Sequence, residues 1–377
     1  MIFTKYRRIL LTLLCVTAVL AFAGCQKKDV PEENPDAPVI APTEDKTDEN
    51  GGTDNKTPDD AKPDDVPEEP KFYNKLTGLE TTEELSNIRP VGIMINNIKQ
   101  ATPQQGISQA DVIYEVLAEG GISRLFCLFT DYASLPETGS IRSSRDYYID
   151  LADAHDAIYV HCGGSPAAYD TLKARGTENM DGIYFSTPFY RNEWRKKHMG
   201  MEHSMMTTGE RLVKGIEEKG YRTTSDFKQP FSFKESVSAI SGENVTDAKT
   251  VAVEFSYYAK STFDYDEATG TYLKGQFSAP HIDSNNNAQL AFENVILLYA
   301  SQGAVKNDEK GRIHVDFIGT GDGIYITNGK TEPIKWSKES RTSSYTLYKA
   351  DGVTELLLNP GKTYVGIPPL GAKTDIQ

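Results

Sequence analysis

The sequence predicts an α/β or α+β protein: an N-terminal mixed sheet with helices, followed by a mostly antiparallel all-β part. Two observations support this fold class. In the first half, short apolar runs alternate with segments that have helix start and stop signals. In the second half, strand-like segments are separated by turn pairs at short intervals. We therefore place an α/β domain at 72–228 and a β-rich domain at 229–377.

The strands of the first domain are predicted from four short apolar runs. These runs are rich in β-branched and aromatic residues, as buried strands are. They lie at 91–95, 111–117, 125–129 and 157–162.

Helices are predicted where a capping residue precedes a periodic segment and a glycine follows it. Ser165 and Pro166 open one such segment, which Gly176 closes. Thr208 opens a second, which Gly220 closes, and a third starts at Ser143 or Ser144.

In the second domain, the turn signals are pairs in which glycine takes the second place, a pattern typical of antiparallel hairpins and meanders. They are Thr269-Gly270, Asn328-Gly329, Asp351-Gly352 and Pro360-Gly361.

The N-terminus has the composition of an export signal. Lys5, Arg7 and Arg8 precede an apolar run at 9–23, which is short for a membrane span. Ala23 and Gly24 stand before Cys25 and resemble the lipobox of bacterial lipoproteins. We interpret 1–24 as a signal peptide and Cys25 as a lipidated residue, which acyl chains such as palmitate hold at the extracytoplasmic side of the cell membrane. The alternative is an ordinary secretory signal that is cleaved nearby.

Residues 25–71 are predicted to form a disordered acidic tether. From residue 26 to 71 there are 15 acidic residues, 6 lysines and eight of the 19 prolines. Such a segment buries too little apolar surface to offset its ordering entropy.

Composition also excludes several classes of protein. A net charge of -14 argues against a nucleic-acid-binding protein, which needs a basic face. Four cysteines are too few for a disulfide framework in a chain of 377 residues. The histidines lack the spacing of a zinc site, and no hydrolase motif is present. We therefore assign no metal ligand, no catalytic residue and no cofactor.

The segment "SIRSSR" is the first candidate for a binding site. Arg142 and Arg145 flank two serines just before a predicted helix, where unpaired N–H groups favour an anion such as a phosphate or a carboxylate. The alternative is that both arginines pair with acidic residues and stabilise the fold.

Gly163 and Gly164 are the second candidate. They connect a strand to a helix, and in α/β sheets ligands bind beyond the carboxyl ends of strands. One site that uses both helix starts is our preferred interpretation.

The third candidate is acidic. Strand alternation would place Asp111, Glu115 and Glu119 on one face if the strand ran unbroken to residue 119. Such carboxylates need arginines or a divalent cation beside them. A network with Arg124 and the two arginines of "SIRSSR" is one alternative, and a hard-metal site is the other.

Four separated motifs occur in order along the chain. They are "RPVGIMINNIKQATPQQGISQADVIYEVLAEGGISRLFCLF", "GSIRSSRDYYIDLA", "DAIYVHCGGSPAAY" and "EHSMMTTGERL". Together they resemble one family, the YerB-like bacterial lipoproteins. The resemblance implies a domain of unknown function with a β-rich companion, in an envelope lipoprotein. His203 matches a family position, but Ser204 follows it where family members often have asparagine.

Three functions remain open at this stage. The first is a membrane-anchored binding or interaction protein that holds an anionic envelope ligand or protein partner at an arginine-lined site. The second follows from the motif order, which is similar to that of LytR-CpsA-Psr phosphotransferases and implies Mg²⁺ and a lipid pyrophosphate-linked glycan, with Asp111 and Arg142 in the reaction. The third is a scaffold with no small ligand.

Overall fold

The computed structural model describes residues 70–377. The predicted signal peptide, the lipidation site at Cys25 and nearly all of the predicted tether lie outside these residues. Among the described residues, no helix combines the length and the apolar composition that crossing a membrane requires.

The helices begin and end where local signals predict. Ser165 accepts a hydrogen bond from the Ala168 amide, and Gly176 ends that helix with a φ of 66°. Thr208 and Gly220 have the same roles in the last helix, whereas the helix predicted from Ser143 or Ser144 starts at Asp146. The α-helices of residues 70–377 are α1 (Glu83–Ser86), α2 (Asp146–Ala154), α3 (Pro166–Arg175), α4 (Glu193–His198) and α5 (Gly209–Lys219).

The strands also follow the predicted runs, and those of the second half are mostly antiparallel. Residues 70–228 contain β1 (Phe72–Tyr73), β2 (Glu80–Thr81), β3 (Val91–Asn97), β4 (Val112–Leu117), β5 (Ser123–Phe129), β6 (Thr138–Gly139), β7 (Ile158–His161), β8 (Asn179–Asp181), β9 (Tyr190–Arg191) and β10 (Met205–Thr207). Residues 229–377 contain β11 (Ser232–Phe233), β12 (Thr246–Asp247), β13 (Thr250–Glu254), β14 (Lys260–Asp266), β15 (Thr271–Gln276), β16 (Ala279–Pro280), β17 (Ile282–Asp283), β18 (Ala288–Gln289), β19 (Ala291–Phe292), β20 (Asn294–Leu298), β21 (Ser301–Ala304), β22 (Ile313–Asp316), β23 (Gly319–Thr327), β24 (Lys330–Lys338), β25 (Tyr345–Lys349), β26 (Leu357–Leu358), β27 (Thr363–Ile367) and β28 (Thr374–Ile376). The predicted fold class, a mixed sheet with helices followed by mostly antiparallel strands, is confirmed.

One large sheet contains strands from both halves of the sequence. Its order is β12-β24-β23-β20-β27-β4-β5-β3-β7-β8, and β25 also pairs with β24. At its centre β27 lies between β20 and β4 and is parallel to both. A second sheet, built on β13, β14 and β15, contains only strands of the second half.

Alternate side chains of the large sheet enter two different cores, as a period of two requires. Tyr114, Phe126 and Ile296 pack on the face that α2 and α3 cover. Ile113 and Leu125 pack on the other face, which α5 and the second sheet cover. The sheet is therefore buried on both faces.

The predicted boundary at 228/229 does not divide the core. Each of the two hydrophobic clusters contains residues from 72–228 and from 229–377. Residues Pro67–Gln377 form one compact unit. The shared core argues against independent folding of either segment.

Candidate functional site

The segment from Ser140 to Arg145 begins antiparallel beside the second half of β3 and passes the carboxyl end of β7. The Arg142 amide donates to the Met94 carbonyl on β3 at 2.9 Å, and the Arg142 carbonyl accepts from the Cys162 amide after β7 at 3.0 Å. Strands β3 and β7 are parallel neighbours. The segment therefore lies where ligands of α/β sheets usually bind.

The starts of α2 and α3 meet beside this segment. Ser144 bridges to Gly164, and the Ser165 amide donates to the Ser144 carbonyl at 3.2 Å. Gly163 has a φ of 79°, a conformation that L side chains rarely adopt. Its amide donates to Asp181 Oδ1 at 2.7 Å. Gly163 thus has a conformational reason to be glycine.

Arg142 is the most accessible of the three predicted arginines. Its Nη2 lies 3.3 Å from Oε2 of Glu202, and its Nη1 donates to the Glu202 carbonyl at 3.2 Å. The other oxygen of that carboxylate, Oε1, lies 3.3 Å from Nε2 of His203. The Glu202 side chain is 63% exposed, so it covers Arg142 and His203 from the solvent side.

His203, in contrast, is buried and fixed. Asn96 Nδ2 donates to His203 Nδ1 at 2.8 Å, which places the ring proton on Nε2, facing Glu202. Arg195 Nε donates to the His203 carbonyl at 2.8 Å. Burial lowers the pKa of His203, and the cationic side chains of Arg142 and Arg195 lower it further against the opposing effect of Glu202. At neutral pH His203 is therefore an N–H donor without charge.

Arg124 and Arg145 have a different surrounding, because both bind Glu119. Arg145 Nε donates to Glu119 Oε2 at 2.9 Å, and Arg124 Nη2 donates to Glu119 Oε1 at 2.9 Å. Arg145 Nη2 also donates to Glu119 Oε1. Burial raises the pKa of Glu119, but the two guanidinium groups outweigh it, and the pKa lies below its ordinary range. This cluster contains three of the six residues of the arginine-carboxylate network that the sequence left open.

Glu115 lies away from all three arginines, in the interior between the two sheets. Ser261 and Tyr364 donate to its Oε2, each at 2.8 Å, and Lys274 Nζ lies 3.5 Å from the same oxygen. Ser123 and Asn97 donate to Oε1. Burial would raise the pKa of Glu115, but Lys274 and the hydroxyl donors hold it below its ordinary value.

The three predicted acidic residues do not share a site. Strand β4 ends at Leu117, so Glu119 lies in the following turn and the predicted alternation stops before it. Asp111 precedes the other end of β4, accepts from the Thr130 amide at 2.6 Å, and has a pKa that burial raises. Within residues 70–377, no cluster of three or more His, Cys, Asp or Glu side chains could hold a metal ion.

The sequence reasoning missed Glu202, Asn96 and Lys274. Glu202 adjoins the family position His203, but nothing local indicates that it contacts Arg142. Lys274 had a usable signal, because strand alternation puts it on the same face as Tyr272, which is buried. A lysine at an inward position predicts a buried acidic partner.

The geometry at Arg142 and His203 can hold one anionic group. A guanidinium nitrogen of Arg142 and the Nε2 atom of His203 each lie 3.3 Å from a separate oxygen of the Glu202 carboxylate, and the first of these contacts is a hydrogen bond. Both donors stand on fixed supports, whereas the carboxylate belongs to an exposed side chain. Such a pair of nitrogen groups is chemically suited to a carboxylate or a phosphate.

Comparison with known proteins identifies the family. Residues 76–222 match the "Protein of unknown function (DUF3048) N-terminal domain", and residues 251–365 match the corresponding C-terminal domain. The chain is 30% identical to "Putative lipoprotein YerB" of Bacillus subtilis (strain 168), over 79% of this chain and 87% of that relative. The crystal structure of YerB protein from Bacillus subtilis is similar, with a TM-score of 0.70 and 27% identity, and covers 81% of this chain and all of that one. The chain therefore belongs to the DUF3048 family, the YerB-like bacterial proteins.

Proposed function

We propose that this protein is a lipid-anchored binding protein on the extracytoplasmic side of the bacterial cell membrane. Its ligand is an envelope component with a carboxylate or phosphate group, which binds at Arg142 and His203. The observation that carries the proposal is the position of Glu202, whose exposed carboxylate accepts a hydrogen bond from Arg142 and lies 3.3 Å from His203 Nε2.

Glu202 acts as an internal substitute for the ligand. Exposed ion pairs of this kind contribute only about 0.2–1 kcal/mol, so an external anion displaces the side chain at small cost. The two donors need little rearrangement, because the Arg142 backbone is bound between β3 and the residue after β7, and Asn96 fixes His203. Donors that are fixed before binding lose little entropy on binding.

Arg124 and Arg145 do not line this site but stabilise the segment next to it, because they donate to the carbonyls of Ser143 and Ser144. Their side chains are buried against Glu119. The proposed site is therefore narrower than the sequence predicted, with Arg142 and His203 as the ligand-binding residues.

Two observations support the lipid anchor: the sequence around Cys25 and the description of the curated relative. Cys25 follows a signal-like segment and small residues. The curated relative carries the description of a lipoprotein. Anchoring keeps the anion site within reach of the membrane and the adjacent envelope.

The test is anion binding to the purified full-length protein in detergent. Inorganic phosphate, pyrophosphate and acetate are titrated at constant ionic strength, and binding is measured by calorimetry and by the rise in melting temperature. We expect Arg142→Ala to weaken binding roughly 10- to 100-fold, the effect of losing a charged hydrogen bond of about 1.5–3 kcal/mol. Arg211→Ala, which removes an exposed arginine elsewhere, is the matched control.

Glu202→Gln gives the more specific result. Because it removes the internal competitor, it is expected to tighten anion binding about 1.4- to 5-fold, the equivalent of 0.2–1 kcal/mol. Weaker binding in Glu202→Gln, or equal losses in Arg142→Ala and Arg211→Ala, contradicts the proposal.

A further inference from the structure

A pair of exposed tyrosines was not among the residues that the sequence singled out. Tyr257 and Tyr258 form the tip of the hairpin between β13 and β14 and are 85% and 65% exposed. Their ring centroids are 5.2 Å apart, and the ring planes meet at 89°. Two large aromatic side chains in solvent, side by side, mark a surface that contacts another molecule.

The hairpin tip holds these rings on a firm support. The Ser256 hydroxyl accepts from the amides of Tyr258 and Ala259, each at 3.0 Å, and itself donates to the Gly121 carbonyl. The tip is thus bound to the turn that follows β4. Because the support is fixed, the aromatic surface exists before any ligand arrives.

The tyrosines border a groove of about 520 Å³ on the solvent face of the second sheet. Its wall includes Thr262 and Asp264, which face outward from alternate positions of β14. Gln289 and the half-buried ring of Phe277 close the other sides. The volume falls in the range of small-molecule sites, about 300–1,000 Å³.

Glycine forms part of the groove wall for a steric reason. A Cβ on Gly275 would lie 2.5 Å from Thr262 Oγ1 and 3.4 Å from the Ala279 carbonyl oxygen. The turn beside it places Phe277 and Ser278 at φ of 52° and 60°, where hairpins usually have asparagine and glycine. Phe277 therefore lines the groove while its backbone has a positive φ, a conformation that residues with a Cβ rarely adopt.

The lining indicates what the groove binds. The charged side chains here are Lys260, its partner Glu254 at 2.9 Å and Asp264, which together carry one more negative than positive charge and so disfavour a polyanion. Asp264 also offers a hydrogen-bond acceptor. An added peptide strand is disfavoured, because the adjacent edge strand β16 is two residues long and ends in Pro280. A ligand with apolar C–H faces and many hydroxyl donors fits both the rings and the carboxylate.

We propose that this groove binds a neutral oligosaccharide. Sugar rings pack on Tyr257 and Tyr258, and their hydroxyl groups bond to Asp264, Thr262 and Gln289. This site is separate from Arg142 and His203 and goes beyond the proposed anion binding, so each can fail without the other.

The experiment uses the full-length protein in a detergent without a sugar headgroup. Chitotetraose, cellotetraose and maltotetraose are the probes, measured by saturation-transfer NMR and calorimetry. We expect at least one to bind, and Tyr257→Ala and Tyr258→Ala each to weaken it roughly tenfold, which corresponds to about 1.4 kcal/mol. Tyr258→Phe is expected to keep most of the affinity, because the ring face remains.

Trp194→Ala is the control, since it removes another exposed aromatic side chain outside the groove. Oligosaccharide binding that survives both tyrosine-to-alanine changes overturns the proposal, as does absence of binding by all three probes at 10 mM, roughly the weakest affinity of interest. Arg142→Ala should leave oligosaccharide binding unchanged, and the tyrosine variants should leave phosphate binding unchanged.

Discussion

The buried pair of Glu115 and Lys274 permits a sharp test of what stabilises the fold. We consider Lys274→Met, which keeps most of the length of the side chain and removes its charge. Lys274 is fully buried and its Nζ lies 3.5 Å from Glu115 Oε2. The variant leaves Glu115 in the interior with its hydrogen-bond donors but without a cation.

The loss of unfolding free energy in this variant is limited by the cost of protonating Glu115. Breaking a buried ion pair usually costs about 3–5 kcal/mol. The folded variant limits this cost by protonating Glu115. With an unfolded pKa of about 4.3 and about 1.36 kcal/mol per pH unit, protonation at pH 7 costs about 3.7 kcal/mol. We therefore expect Lys274→Met to lose about 3–4 kcal/mol of unfolding free energy at pH 7.

The same reasoning predicts a pH dependence with a definite sign. In the native protein the pKa of Glu115 is below its ordinary value, so its contribution is complete above about pH 4.3 and is lost on further acidification. In the variant, burial without Lys274 raises the pKa of Glu115. The folded variant then binds more protons than the unfolded chain, and its deficit shrinks to about 1 kcal/mol at pH 5.

Urea denaturation followed by circular dichroism at pH 5, 6 and 7 measures both quantities. Lys335→Met, at an exposed lysine paired with Asp322, is the control and is expected to change stability by less than about 0.5 kcal/mol at every pH. A deficit that is the same at pH 5 and pH 7, or that is below about 1 kcal/mol at pH 7, refutes the reasoning.

Three further predictions concern the arginines, the anchor and the two segments. Arg145→Ala should lower the unfolding free energy by about 1–3 kcal/mol, because Glu119 loses its closest partner. Arg142→Ala should change the unfolding free energy by less than about 1 kcal/mol. Equal losses of stability in thermal melts of the two variants would contradict this difference. Cys25→Ala should move the protein from the membrane fraction to the soluble fraction with an unchanged circular dichroism spectrum, and continued membrane association would exclude the acyl anchor. Segments 72–228 and 229–377, expressed separately, should each fail to melt cooperatively because each lacks half of the central sheet; a cooperative transition in either one would show an independent core.

The elements that the sequence predicted well are those that local contacts decide. The α3 start depends on a hydrogen bond between Ser165 and an amide three residues later, and its end depends on the conformation of Gly176. Strand β4 was predicted from its own apolar run, within one residue of its observed start. Such features need no knowledge of the remaining chain.

The candidate site was predicted less well, because pairings between residues far apart in the sequence decide which arginine is accessible. Arg142 and Arg145 are three residues apart, yet Arg145 pairs with Glu119, 26 positions earlier, and Arg142 with Glu202, 60 positions later. Both arginines belong to the same short motif, so the motif alone cannot rank their accessibility. The pairing of Lys274 with Glu115 is hidden for the same reason.

The position of β27 in the large sheet determines when during synthesis the strands of that sheet can pair. Tyr364 on β27 binds Glu115, which precedes it by 249 positions, and the strand fills the gap between β4 and β20. A chain that emerges N-terminus first, from a ribosome or a translocation channel, therefore holds β4 with one side unpaired until nearly all of the polypeptide is available. Such distant contacts slow folding. The central sheet is therefore among the last parts of the structure to be completed.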